Sequence, residues 1–121
     1  MDIEGHMAIA RRIEASLQKC GAADYEMTIE AAMLAGTHWL NVLLHKVGAT
    51  PPPQDVFHTY LLTVNEFRRL AVAAEKPLAA LAAIEDLRPP FVRGNHAGGE
   101  GAAERALALL SQIRATALGS V

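Results

Sequence analysis

Four side chains near the middle of this sequence could share chemistry: His38, His45, Asp55 and His58. The first two are seven positions apart. In a helix that is two turns, with Asn41 midway between them, so the three lie on one stripe. Asp55 and His58 are three apart and share a face if their segment is helical. Imidazole and carboxylate donors suit zinc, iron or manganese. This nominates His38, Asn41, His45, Asp55 and His58 as ligand-binding residues, and His38, His45 and His58 as metal ligands. The spacing contains neither the HExxH pair nor the Glu-x-x-His of carboxylate-bridged bundles. Glu30 and Glu66 are further carboxylates that could approach such a site, though nothing in the spacing requires it. The competing readings are structural: a solvated polar seam, a polar lock fixing helix register, and Asp55 as a helix N-cap with a neighbouring histidine.

A second constellation is Arg88, Arg93, Asn95 and His96. An arginine could stabilise charge on a phosphodiester while a histidine moves the proton, which makes Arg88, Arg93 and His96 the catalytic candidates. The structural alternative is a helix-end arginine near a loop histidine. The run GNHAGGEG from Gly94 to Gly101 is glycine-rich, but no strand precedes it and no Gly-Lys-Ser/Thr follows, so it does not read as a phosphate cradle. Cys20 reads as a helix-end thiol.

The elements that must position these groups are helical. Ile29, Met33, Gly36, Leu40, Leu43, Leu44 and Val47 recur at offsets of three and four, which predicts a long helix from about Ala23 to Val47. At ~1.5 Å per residue it spans roughly 37 Å, the width of a small domain. Gly48 suits its C-terminal cap. Gly36 costs about 1 kcal/mol against alanine, which close approach of a neighbouring backbone would offset. A first helix over residues 3–19 follows from Ile9, Ile13 and Leu17, with Met7 and Ala10 nearby. After the rigid Thr50-Pro51-Pro52-Pro53 connection, a third helix is expected from Asp55 to Ala74, capped by Asp55 or Thr50. Its buried stripe would be Phe57, Tyr60, Leu61, Val64, Phe67 and Ala71. Pro77 opens a fourth with Leu78, Leu81, Ile84 and Leu87. Pro89 and Pro90 stop it, and Phe91-Val92-Arg93 should be extended. A fifth runs from Glu100 or Gly101 to Leu118 on Ala103, Ala106, Leu107, Leu110, Ile113 and Ala117, with the C-terminal Gly-Ser-Val fraying. The expected fold is all-α: one domain over residues 1–121, an up-and-down antiparallel bundle of four to five helices.

The chain has 121 residues, enough for a core without disulfides, and one cysteine, which excludes a disulfide framework and a cysteine-rich zinc site. A single cysteine fits a reducing cytoplasm. The net charge of −2 argues against binding nucleic acid by bulk electrostatics. No run is long and apolar enough for a membrane span, and Asp2, Glu4 and Glu14 break any signal-like core. Alanine-rich faces on the second and fifth helices suggest surfaces that a symmetric homodimer would cover.

Ala31-Ala32, Leu40-Asn41, Leu44-His45 and Gly48, followed by Leu81, Ile84 and Leu87-Arg88, resemble the HEPN superfamily of small helical bundles over about Thr28 to Arg93. The resemblance implies four or five antiparallel helices, often dimeric, serving either as RNases and toxins or as inactive partners of nucleotidyltransferases. Active members carry an arginine, a polar residue, about four more residues and a histidine. Here Pro89 follows Arg88, His96 comes too late for that spacing, and Arg93 to His96 is too short. The resemblance therefore implies the partner-binding role. The sequence reads as a non-catalytic binding or accessory module, dimeric, with a protein partner, and with no motif that specifies a cofactor. The alternative is a metal-dependent or RNase-like enzyme.

Overall fold

The computed structural model describes residues 1–119 and contains four α-helices, with no strand among the described residues. They are α1 (Ile3–Leu17), α2 (Tyr25–Lys46), α3 (Val64–Arg88) and α4 (Gly99–Gly119). A 3-10 turn at Thr59–Leu61 precedes α3, and a π turn at Pro89–Arg93 follows it. The result is an all-α antiparallel bundle. None of its helices is long and apolar enough to cross a membrane.

α2 occupies the centre because its second half is apolar almost all round. Leu40, Asn41, Val42, Leu43 and Leu44 are five consecutive buried residues, so no face is left for water. α1, α3 and α4 each pack against it, and α3 also packs against α4. Trp39, Leu40 and Leu44 from α2 meet Leu78, Leu81 and Ile84 from α3 and Leu110 and Ile113 from α4 in one core. Each such side chain contributes on the order of 1.5–3 kcal/mol when fully buried. At Gly36 an added Cβ would lie 3.3 Å from Ile113 Cδ1 and 3.5 Å from Leu81 Cδ1. The close approach is thus by side chains of α3 and α4 rather than by a neighbouring backbone. Gly48 takes φ +74°, where a side chain would be strained, and Ala49 N–H donates to Leu44 O at 2.9 Å. Val47, expected on the buried stripe, lies beyond the last turn and is exposed.

Residues 55–74 differ most from expectation. No helix starts at Asp55; the chain is extended at His58 (φ −140°, ψ 142°) and α3 begins only at Val64. Thr63 is its cap: Glu66 N–H donates to Thr63 Oγ1 at 3.1 Å, and Thr63 N–H donates to Glu66 Oε1 at 2.9 Å. That reciprocal box fixes the start eight residues later than expected, where Thr-x-x-Glu stands in the sequence. Phe57, Tyr60, Leu61 and Val64 consequently lie outside the core and are exposed, while Leu70 and Ala74 are buried.

The expected third and fourth helices form one bent helix. Ala74 leaves helical geometry (φ −146°, ψ 45°) three residues before Pro77, whose ring cannot accept an unbroken turn behind it. Pro89-Pro90 continue into the π turn, so Phe91, Val92 and Arg93 are coiled and not extended; Gly94 N–H closes the turn on Pro89 O at 2.8 Å. On α4, Ala103, Ala106, Leu110, Ile113 and Ala117 are buried, but Leu107, expected on the same face, is exposed. Of the C-terminal Gly-Ser-Val, Gly119 ends α4 and the last two residues lie outside the described ones. The alanine-rich faces of α2 and α4, the basis for expecting a dimer, cover each other within the chain.

Two glycine substitutions test this packing. Gly36→Val should overpack the α2–α3–α4 junction and lower stability by about 1–3 kcal/mol. Gly101→Ala, where an added Cβ meets nothing within 4 Å, should raise stability by up to about 1 kcal/mol. Thermal unfolding of the two variants checks the opposite signs.

Candidate metal and ligand site

α1 carries a histidine on its buried face. Ile3, His6, Ala10, Ile13 and Leu17 recur at alternating offsets of three and four, and His6 and Ala10 are the buried members. His6 thereby points into α2 at the level of His38, whose Nδ1 lies 2.9 Å from His6 Nδ1. Two turns along α2, His45 approaches from the same side.

Asn41 brings in the third partner. Its amide acts as a short piece of sheet edge: Nδ2 donates to Val56 O at 2.7 Å, and Val56 N–H donates to Oδ1 at 2.8 Å. Nδ2 also donates to Thr37 O one turn back. Asn41 is thus a clamp for the loop that the prolines stiffen. It sets Asp55 beside the two histidines.

The centre is one oxygen with two imidazoles on it. Asp55 Oδ1 lies 2.9 Å from His6 Nε2 and 3.0 Å from His45 Nε2. The outer nitrogen of each ring also has a partner. His6 Nδ1 faces His38 Nδ1, and His45 Nδ1 lies 3.0 Å from both Thr50 O and Thr50 Oγ1. Asp55 Oδ2 accepts from the Met1 amino group at 3.1 Å. His6 and His45 are buried and Asp55 nearly so.

A carboxylate only accepts, so without a cation both Nε2 atoms must carry hydrogen. His45 Nδ1 then accepts from Thr50 Oγ1–H, and His6 Nδ1 accepts from His38 Nδ1–H. With a cation on the Nε2 atoms, the hydrogens move to the Nδ1 atoms. His45 then donates to Thr50 O, and His6 donates to His38. Every partner required by either arrangement is already in place, and among the described residues no buried side-chain nitrogen or oxygen lacks one.

The electrostatics follow. Burial pushes the Asp55 carboxyl up, but hydrogen bonds from His6, His45 and the Met1 amino group outweigh it and hold the group below the ordinary carboxylate range. Burial and then the neighbouring His6 depress His38, with Arg12 adding to the effect and Asp55 opposing it.

The other nominated residues lie elsewhere. His58 turns to α3, where its Nδ1 donates to Glu85 at 3.0 Å while its ring stacks on Tyr60. Glu85 is buried and also accepts Thr59 N–H at 3.0 Å and the Thr59 hydroxyl. His58 and Asp55 share no helix face because their segment is extended. Both line a cavity of about 200 Å³ with His6, Leu34, His38 and Phe57. Glu66 serves the α3 cap and Glu30 binds Arg88 Nε at 2.6 Å. The Glu30 carboxylate raises Arg88 further above its ordinary value, against a smaller effect of burial. Arg93, Asn95 and His96 are exposed, and among the described residues no hydrogen bond joins Arg88 or Arg93 to His96. Phe91 meets the His96 ring edge-on.

His6 was absent from the sequence-based site. Its trace was a histidine in an apolar slot of the 3-6-10-13-17 pattern.

No family model, no curated protein and no solved structure matches this chain.

The shifted groups set the pH response. Asp55, held below ~3.9, adds stability that is present above that pH and lost as pH falls through its folded value. His38 is held below ~6.5, so the fold disfavours its protonated form. As pH falls past ~6.5 the unfolded chain takes the proton first and stability declines. Chemical unfolding across pH 7 to 3 should therefore show loss near neutrality that His38→Gln flattens, and a second loss in acid that Asp55→Asn flattens.

Proposed function

We propose that this protein is a metal-binding helical bundle that holds a divalent first-row transition ion on His6 Nε2, His45 Nε2 and an Asp55 oxygen. One observation carries the reading: two buried imidazole nitrogens converge on a single carboxylate oxygen, and each ring has an outer partner suited to the metal-bound tautomer. The donor atoms of His6, His45 and Asp55 all lie within 4.8 Å of one another. Neighbouring ligands at ~2.1 Å from an ion and at right angles are ~3.0 Å apart, so the two spacings to Asp55 Oδ1 match two edges of a coordination shell.

Two histidines and one carboxylate suit iron(II), manganese, cobalt or zinc and leave further positions for water or a ligand. Thr50 and His38 would orient the rings from behind, as outer partners of metal-bound histidines do. The site thus belongs to a binding module, with the ion as its first ligand. A second reading is favoured by the full set of hydrogen bonds: a polar lock that ties α1 and the proline loop to α2 without any ion.

Calorimetric titration with zinc or cobalt(II) separates the two. Binding of a single ion per chain is expected. His38→Ala should weaken it about 10–100-fold, as loss of an outer partner does, and His6→Ala, His45→Ala or Asp55→Ala by more. His58→Ala should leave it unchanged. Absence of binding to the folded protein, together with marked destabilisation in His45→Ala, would select the lock.

A further inference from the structure

Resting on the metal reading, we propose that the cavity beside the site binds a small apolar monocarboxylate, with its carboxylate on the ion and on His38 and its body against Leu34 and Phe57. The cavity has the right neighbours for both ends. His6 and Asp55, two of the three ligands, form part of its wall, so an open position on the ion can face it. Leu34, Val56 and Phe57 supply the apolar side, and its lining is mainly apolar. Its volume of about 200 Å³ is below the ~300–1,000 Å³ of pockets for drug-sized ligands, which limits the occupant to a small molecule.

Charge selects the head group. A divalent ion with Asp55 as its only anionic ligand leaves net positive charge, to which the Met1 amino group on Asp55 adds, and an anionic head group offsets it. The tautomer argument adds a donor. Once His6 Nε2 holds an ion, its Nδ1–H donates to His38 Nδ1. With His38 Nδ1 accepting that bond at 2.9 Å, the hydrogen of the His38 ring sits on Nε2. Without the ion, His38 Nδ1–H donates to His6 and its Nε2 is a bare acceptor. Metal loading thus changes His38, a cavity-lining residue, from acceptor to donor, and a carboxylate is the partner that needs a donor. His58, which also lines the cavity, has its Nδ1–H fixed on Glu85.

The probes are butyrate, acetate and butylamine, added to cobalt(II)-loaded protein and followed by the visible spectrum. Butyrate should shift the spectrum saturably and bind roughly tenfold more tightly than acetate, about what two buried methylenes give. Butylamine should have no effect. Leu34→Asp, at a half-exposed position that holds no ligand, should retain cobalt and lose the preference for butyrate. Cobalt uptake with no response to carboxylates, or with equal response to butyrate and acetate, would overturn the inference while leaving the metal reading intact. A protein that takes up no cobalt overturns both, and does so before any carboxylate is added.

Discussion

The Asp55 carboxylate is the point where three separate pieces of chain meet. His6 reaches it from α1, His45 from α2, and the proline-stiffened loop delivers Asp55 itself. Burying two imidazoles and an anion is costly unless each polar atom finds a partner. Here the cost is met by a closed set of hydrogen bonds that runs from Thr50 through His45, Asp55 and His6 to His38. Removing one member strands the others in a dry site, so the cluster acts as a unit.

The bundle supplies the rigidity this unit needs. α2 is surrounded by the other three helices and carries His38, Asn41 and His45 on one stripe of its length. The core beneath that stripe fixes the helix axis, and Asn41 then fixes the loop against it. A second buried carboxylate, Glu85, holds the next part of the loop through His58 and Thr59. Residues 55–59 are thus tied down at two points by side chains from two helices. That accounts for an ordered extended segment with Phe57 and Tyr60 on the outside.

The helical periodicity of α2 and α4, the cap at Gly48 and the break at Pro51-Pro52-Pro53 were legible because each rests on local spacing or backbone chemistry. Residues 55–63 were misread because Phe57, Tyr60, Leu61 and Val64 mimic a helical stripe. The stronger signal was the Thr63-x-x-Glu66 box just beyond them, which starts α3 there and leaves the stripe in water. At the site, the shared face of His38, Asn41 and His45 followed from spacing alone. His6 did not, because its contact with His38 spans 32 residues and depends on how α1 is rotated against α2. His58 was placed on one face with Asp55 through a helix that is not there. Which carboxylate a histidine meets is a tertiary matter, and Glu85, inside a long helix, gave no local hint.

X-ray absorption at the cobalt edge of the cobalt(II)-loaded protein examines the central claim most directly. The expected spectrum has a light-atom first shell at ~2.1 Å and the outer-shell scattering of two imidazole rings, the pattern of His6, His45 and Asp55 around one ion. A shell of oxygen atoms with no imidazole scattering would contradict the account.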